Sequence, residues 1–271
     1  MDLSFLSPEH YQWKIALLAL VVALGLPALL APLVKLVPLF RRTSVLNKTA
    51  ATERLKRSFY MPIQNRSKLW GLSAYAVIFT TIMPFIITAE AQPWWQIPLD
   101  VFCILMFYDF FYYLTHRFLF HDGGYGPGPL MWAHSVHHQQ RNPCRMDSNY
   151  LHPVETSIGV CLYGGSIGIL GALMGDFHVV TVIITVIAFS EINLHNHDLM
   201  DAAEARFPFR YLKYASNMHH VHHARFTAGN FATISLFYDW LFGTYDTGQG
   251  WKRPRRGGTA AKAAERTDTA G

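Results

Sequence analysis

Charge is what this chain has least of. Asp, Glu, Lys and Arg make up 15% of its 271 residues, against about 25% in an ordinary soluble domain. With 51% hydrophobic residues, a wholly water-facing surface is not expected. Cysteine is scarcer still: Cys103, Cys144 and Cys161 are the only three. An odd count without a Cys-x-x-Cys pair excludes a disulfide framework. Cys103 and Cys161 fall in apolar runs and read as packing residues, and Cys144 reads as a surface thiol. A dinucleotide fingerprint is also missing. Gly123-Gly124-Tyr125-Gly126 follows a histidine rather than a strand and lacks the βαβ setting such a loop needs. No cleavable leader is evident either. The first apolar run is too long for a signal core and is expected to stay as an anchor.

What is present begins with five apolar stretches, in a lipid phase where about 20 residues are needed to cross. They run over 15–34, 70–89, 98–115, 157–175 and 178–194. Pro27, Pro32 and Pro84 mark expected kinks, while Asp100, Asp109 and Glu191 are acids inside or at the ends of apolar runs. The last two stretches are separated so briefly that they predict a helical hairpin, either a full double span or a re-entrant pair. Glycines 159, 164, 165, 168 and 171 suit close helix packing there. Mean hydropathy is only +0.14, because these stretches are averaged with a polar, histidine-rich remainder.

The net charge of +5 is local. Residues 35–68 hold Lys35, Arg41, Arg42, Lys48, Arg54, Lys56, Arg57, Arg66 and Lys68 against the single acid Glu53. Apolar runs on both sides make this a cytoplasmic loop facing anionic lipid rather than a nucleic-acid surface. Threading the runs from that loop, and leaving Glu90–Gln96 and Gly175–Phe177 (neither holding Lys or Arg) outside, brings every histidine cluster to the cytoplasmic face. The expected fold is an all-α integral membrane protein. Four to five transmembrane or re-entrant helices would carry a cytosolic helical cap with a histidine-rich dimetal site. Three regions are expected: membrane anchors with the basic loop over 1–95, the metal-bearing domain over 96–246, and a basic, disordered tail over 247–271.

Ten of the fourteen histidines sit in four clusters: His116 with His121; His134 with His137 and His138; His195 with His197; and His219 with His222 and His223. Imidazole is the commonest biological metal ligand, and ten candidates are too many for one ion and suit two. His134, His137 and His138 fall at i, i+3 and i+4, so one helical face can present all three. His219, His222 and His223 repeat the spacing, which argues against chance surface polarity. His116 and His121 are five apart, about 140° round a regular helix, so the helix is expected to end or bend there. His220 points away from its triplet's face and stays outside the ligand set. His152 reads equally as a group supporting the ligands or as a structural histidine at the membrane surface. His178 and His10 read as unrelated to metal. Metal-bound imidazoles usually donate their other N–H to a carboxylate or carbonyl. Asp109, two turns before His116, and Glu155 are the acids chosen for that duty, with Glu191, Asp198 and Asp239 also near.

The run Asp109-Phe-Phe-Tyr112-Tyr-Leu-Thr-His116-Arg117…His121, Trp132-x-His134-x-x-His137-His138, His152-Pro-x-Glu155, His219-x-x-His222-His223 and Tyr238-Asp239-Trp240-Leu-Phe-Gly243-Thr244 resembles the fatty acid hydroxylase / sterol desaturase superfamily. The resemblance covers about residues 100–246. It implies an integral-membrane, non-haem diiron oxygenase that hydroxylates or desaturates a lipid with O₂ and two electrons. It also implies ligand roles for His116, His121, His134, His137, His138, His219, His222 and His223, with a further ligand near His195. The Asn193–His197 stretch departs from the family's pattern. Two iron ions are the implied cofactor, with zinc able to take their place during purification. A separate cytochrome or ferredoxin with its reductase is the implied electron donor. The competing expectations are a histidine-rich membrane zinc hydrolase and a metal transporter. The lipid, the position oxidised and the oligomeric state are not legible.

Overall fold

The computed structural model describes residues 10–200 and 206–252; the expected disordered tail falls, beyond Lys252, outside the described residues. Among the described residues, five helices are long and apolar enough to cross a membrane: α1 (Trp13–Val34), α3 (Tyr60–Thr81, continued by a 3₁₀ turn to Phe85), α4 (Gln96–Thr115, continued by a wider turn to Phe120), α6 (Pro153–Met174) and α7 (Val179–Asn196). At 1.5 Å per residue, α1, α3, α4 and α6 match the bilayer's apolar layer of about 30 Å, and α7, with 18 residues, comes to about 27 Å. The chain is an all-α, multi-pass membrane protein.

Their outer faces are the apolar ones. Leu17, Leu18, Val21, Leu29 and Leu33 of α1 are exposed, while the small residues Ala16, Ala19 and Ala23 are buried. That small-residue stripe lets α1 approach α7 closely, as membrane helices do without a hydrophobic drive between them. The α6 glycines serve α3 in the same way: Gly164 faces Ile78, Gly168 faces Ile82 and Gly171 faces Ile86. The core therefore joins α1 and α3 to α4, α6 and α7, through Tyr75, Phe79, Tyr108, Tyr163, Ile167 and Val186. The N-terminal helices share this core with the histidine-bearing part.

One end of the bundle is tied by a short parallel pair, β1 (Ile87–Thr88) with β2 (Phe177–His178). Gln12 N–H donates to the Pro84 carbonyl at the same end. The basic segment lies at the other end, where it forms an unforeseen helix, α2 (Pro38–Leu55). There Asn47 accepts from the backbone N–H of Arg145 and Leu199. Arg54 and Tyr60 both reach the buried carboxylate of Asp147. Cys144 is not a surface thiol: it is buried beside Asp147, at the start of the 3₁₀ turn Arg145–Asn149.

Candidate metal centre

The histidine-bearing end is built from the last turn of α4, the short helix α5 (Met131–His137), the end of α7, the helix α8 (Phe209–Ala224), the loop after it and α9 (Phe237–Leu241). The bend expected between His116 and His121 is a π turn over His116–Phe120. In such a turn the residue five positions on comes back over the first, and the two imidazole rings stand 5.0 Å apart.

Nine imidazoles gather into two groups. His116, His121, His134, His138 and His222 form one; His137, His197, His219 and His223 form the other. Within each group the nitrogens that could bind an ion lie within 4.8 Å of one another. The groups abut, with the His138 and His223 rings stacked at 4.8 Å. Each i, i+3, i+4 triplet is split between them. On α5, His134 and His138 go to the first group and His137 to the second; on α8, His219 and His223 go to the second and His222 to the first. Residues i and i+4 are offset by about 40° round a helix, whereas i+3 lies on the other side of i. One turn therefore serves both groups.

Hydrogen bonding fixes which nitrogen faces inward. His116, His121, His137, His197, His222 and His223 each place Nδ1 against a backbone carbonyl: Phe231, Phe226, Tyr150, Asn193, Gly229 and Gln140, at 2.6–3.3 Å. A carbonyl only accepts, so Nδ1 carries the proton and Nε2 is left with a lone pair. His134 Nδ1 is held in the same way by Glu155 Oε1, at 2.7 Å. Yet His116 Nε2 lies 3.0 Å from His134 Nε2, and His137 Nε2 lies 3.1 Å from His197 Nε2. Neither pair has a proton to share, and lone pairs at that distance repel. A cation between them resolves the repulsion: two nitrogens about 2.1 Å from one ion at right angles stand about 3.0 Å apart. The donor set thus fits a metal in each group. Burial reinforces it by disfavouring imidazolium: His121, His134, His137, His138, His219 and His223 are held well below the usual histidine range, and His197 and His222 are lowered to about 4.

Glu155 is buried and its second oxygen, Oε2, has no hydrogen-bond partner among the described residues. Glu155→Gln should weaken metal retention by about 10–100-fold, the usual effect of losing a ligand's supporting partner. A chelator-competition titration of the purified protein checks this.

Not every expected residue joins the groups. His195 stands apart from both: its Nδ1 faces Asp198 at 3.2 Å and its Nε2 donates to the Leu212 carbonyl at 2.9 Å. The helical geometry explains this, since His195 and His197 are two residues apart on α7 and project to opposite sides. Asp109 touches no imidazole. Its carboxylate accepts from the backbone N–H of Thr233, Ile234 and Ser235 and from the Ser235 hydroxyl, at 2.8–3.1 Å. Asp239 does the same for Phe231 and Ala232. The two acids hold the 231–235 strap whose Phe231 carbonyl orients His116. Glu191 and Asp198 pair with Arg145. His152 and His178 cap the starts of α6 and α7. His220 lies outside both groups.

The carbonyls of the 226–231 loop were invisible to motif reading, because every residue has one. Gly229 and Asn230 carried a faint signal. A side chain on Gly229 would overlap the Thr244 carbonyl oxygen, and Asn230 adopts φ 64° while bonding Met218 and Asp246.

A cavity of about 320 Å³ lies beside both groups, with His116 and His134 on its wall from one and His137, His197 and His219 from the other. Tyr108, Tyr112, Glu155, Gly159 and Phe189 also line it.

The fatty acid hydroxylase family profile matches residues 101–244, more than half of the chain. The methylsterol monooxygenase erg25B of Aspergillus fumigatus is 29% identical over 177 residues, covering 62% of this chain and 55% of that protein. Methylsterol monooxygenase 1 of Gallus gallus is 31% identical over 160 residues (57% and 49%). The very-long-chain aldehyde decarbonylase GL1-11 of Oryza sativa is 27% identical over 155 residues (55% and 56%). The chain spans about half the length of these relatives. No solved structure matches it. The matched stretch runs from α4 through the loop after α9 and contains every imidazole of both groups, and on that match the chain belongs to the fatty acid hydroxylase family.

Proposed function

We propose that this protein is a membrane-bound non-haem diiron oxygenase that hydroxylates or desaturates a lipid, taking two electrons from a separate carrier. The observation that carries the reading is the double imidazole group: nine rings, eight of them buried and His219 half-buried, their inner lone pairs facing one another, beside a cavity set among membrane helices. Bound there, two iron ions would supply the activation of O₂ that an unactivated C–H bond requires and that no side chain provides. In hydroxylation, substrate, O₂, two electrons and two protons give the alcohol and one water; in desaturation they give the alkene and two waters.

The chain's own part is placement. His116, His121, His134, His138 and His222 hold one ion, and His137, His197, His219 and His223 the other. Glu155 fixes the His134 tautomer through Oε1 and lines the cavity beside it. Tyr108, Val160 and Phe189 keep the space beside the ions dry. The basic α2 shares its end of the bundle with the histidines, which supports a cytoplasmic site open to a soluble or membrane-anchored cytochrome or ferredoxin. The relatives named methylsterol monooxygenase support a lipid substrate. The gathering of both groups at one end speaks against a transport path through the membrane.

Lipids from cells with and without the gene, grown under ¹⁸O₂, test the reading. A lipid gaining one labelled oxygen, or losing two hydrogens, is expected. Products whose new oxygen comes only from water would instead indicate a hydrolase.

A further inference from the structure

The group of five comes close to the surface under a thin roof. Phe226, half-buried just after α8, sets its ring 4.5 Å from that of His121 and 4.8 Å from that of His138. Trp251 is half-buried as well. Its ring stands 5.7 Å from that of Phe231, and the Phe231 ring stands 5.4–5.8 Å from those of His116, His121 and His222. One buried phenylalanine therefore joins a surface indole to three rings of the group. The indole is held in place. Trp251 Nε1–H donates to the Thr227 carbonyl at 3.2 Å, and the Arg117 guanidinium lies 5.3 Å over the ring. Neither Trp251 nor Phe231 lines the cavity beside the two groups, so this approach to the imidazoles is separate from it.

The roof is also basic. Arg141 and Lys252 are exposed, and neither is in an ion pair among the described residues. Arg141 follows Gln140, whose carbonyl holds His223, and Lys252 follows Trp251. Arg225, half-exposed, precedes Phe226. The acids of the flanking loops are turned to their own backbone: Asp122 accepts from the N–H of Gly124 and Gly126, and Asp246 from those of Gly229, Gly248 and Gly250. Beyond Lys252 the sequence adds Arg253, Arg255 and Arg256. Positive charge alone would suit an anionic membrane or an acidic protein equally. The aromatic bridge beneath it decides between them, because a lipid headgroup has no use for a path to the imidazoles and an electron carrier does. Charge of one sign round an entry point speeds and orients the encounter with a partner of the other sign. A few cations round one aromatic ring also suit the small, transient contacts of electron-transfer partners.

We propose that an acidic one-electron carrier protein docks on the face formed by Arg141, Arg225, Phe226, Trp251 and Lys252, and that its electrons reach the group of five through Trp251 and Phe231. Trp251 is favoured over Phe226 as the entry point because its indole is the more easily oxidised ring and adjoins Lys252. Each encounter oxidises the carrier by one electron and delivers that electron to the imidazole-bound metal, and two encounters supply the pair that the reaction consumes. The transfer step rests on the oxygenase reading; carrier binding is measured apart from it.

The test uses the full chain, iron-loaded, in phosphatidylcholine nanodiscs, with a plant-type ferredoxin as the acidic carrier. Binding is titrated over a range of salt, and anaerobic oxidation of reduced ferredoxin is followed by stopped flow. Raising the salt from low to physiological should weaken binding at least about tenfold. Arg141→Glu combined with Lys252→Glu should weaken it at least about tenfold at low salt, with metal content unchanged. At saturating ferredoxin, Trp251→Leu should slow electron transfer at least tenfold, again with metal content unchanged. Absence of ferredoxin binding to the parent overturns the docking face. So does unchanged affinity in the charge-reversed variant, which would assign the patch to anionic headgroups. An unchanged limiting rate in Trp251→Leu, or a rate lost in Phe226→Leu instead, overturns the path. Fast, Trp251-sensitive transfer without any oxidised lipid once air is admitted would uphold the proposal and count against the oxygenase reading alone.

Discussion

Replacing His222 or His137 with alanine is expected to abolish lipid oxidation and to strip metal from the protein, each variant emptying its own group. His222 belongs to the group of five and His137 to the group of four. Both rings are buried and both are aimed by a carbonyl, Gly229 for His222 and Tyr150 for His137. Neither position can be taken over by a neighbour, because the other inward nitrogens are already committed to their own sites. Losing a partner that merely supports a ligand costs about 10–100-fold in affinity or activity, so losing the ligand should exceed about 100-fold. The controls are His195→Ala and His10→Ala. His195 bonds Asp198 and the Leu212 carbonyl, and His10 lies near Asp176 at the opposite end of the bundle. Both should retain full metal. Elemental analysis beside oxygen uptake checks the set, and full metal in His137→Ala and His222→Ala would refute the ligand assignment.

Asp109→Ala should be the most destabilising change outside the ligands. The carboxylate is fully buried within α4 and receives three backbone N–H groups and one hydroxyl from residues 233–235. Alanine leaves the three N–H donors buried without partners, at about 1–3 kcal/mol each, so a loss of at least about 3 kcal/mol is expected. The 231–235 strap would then loosen, and with it the Phe231 carbonyl that orients His116. Asp109→Asn keeps one acceptor oxygen and should retain part of the stability. Thermal unfolding of the metal-loaded protein, followed by loss of monodisperse material, gives the comparison. An alanine variant as stable as the parent would show that the strap is held by Asp239 alone.

Much of this was legible in the sequence, for identifiable reasons. Apolar runs of membrane length and a local basic excess are one-dimensional signals. They located the crossing helices, and α3 began ten residues early only because Arg66 and Lys68 interrupt its apolar pattern. The helix α2 stayed hidden because it is polar and is held by tertiary bonds from Asn47 and Arg54 rather than by an amphipathic stripe. The histidines were conspicuous as a set, yet their division was not. A triplet at i, i+3, i+4 reads as one face until the two groups divide it. The sequence favoured His195 over His197 as a ligand, and the packing of α7 on α8 brings His197 into a group instead. Asp109 lay on the expected face and two turns from His116, but a carboxylate in lipid takes whatever donors reach it, and here these are the backbone N–H groups of a strap more than 120 residues away. Glu155 reached His134 because Pro153 starts α6 immediately beside α5's histidine face.

Counting iron is the most direct trial of the account. Protein purified without added metal from ⁵⁷Fe-grown cells should carry two iron ions per chain, and its Mössbauer spectrum should show a pair bound by nitrogen and coupled to each other. One ion per chain, or two zinc ions that iron cannot replace with recovery of oxygen uptake, would contradict it.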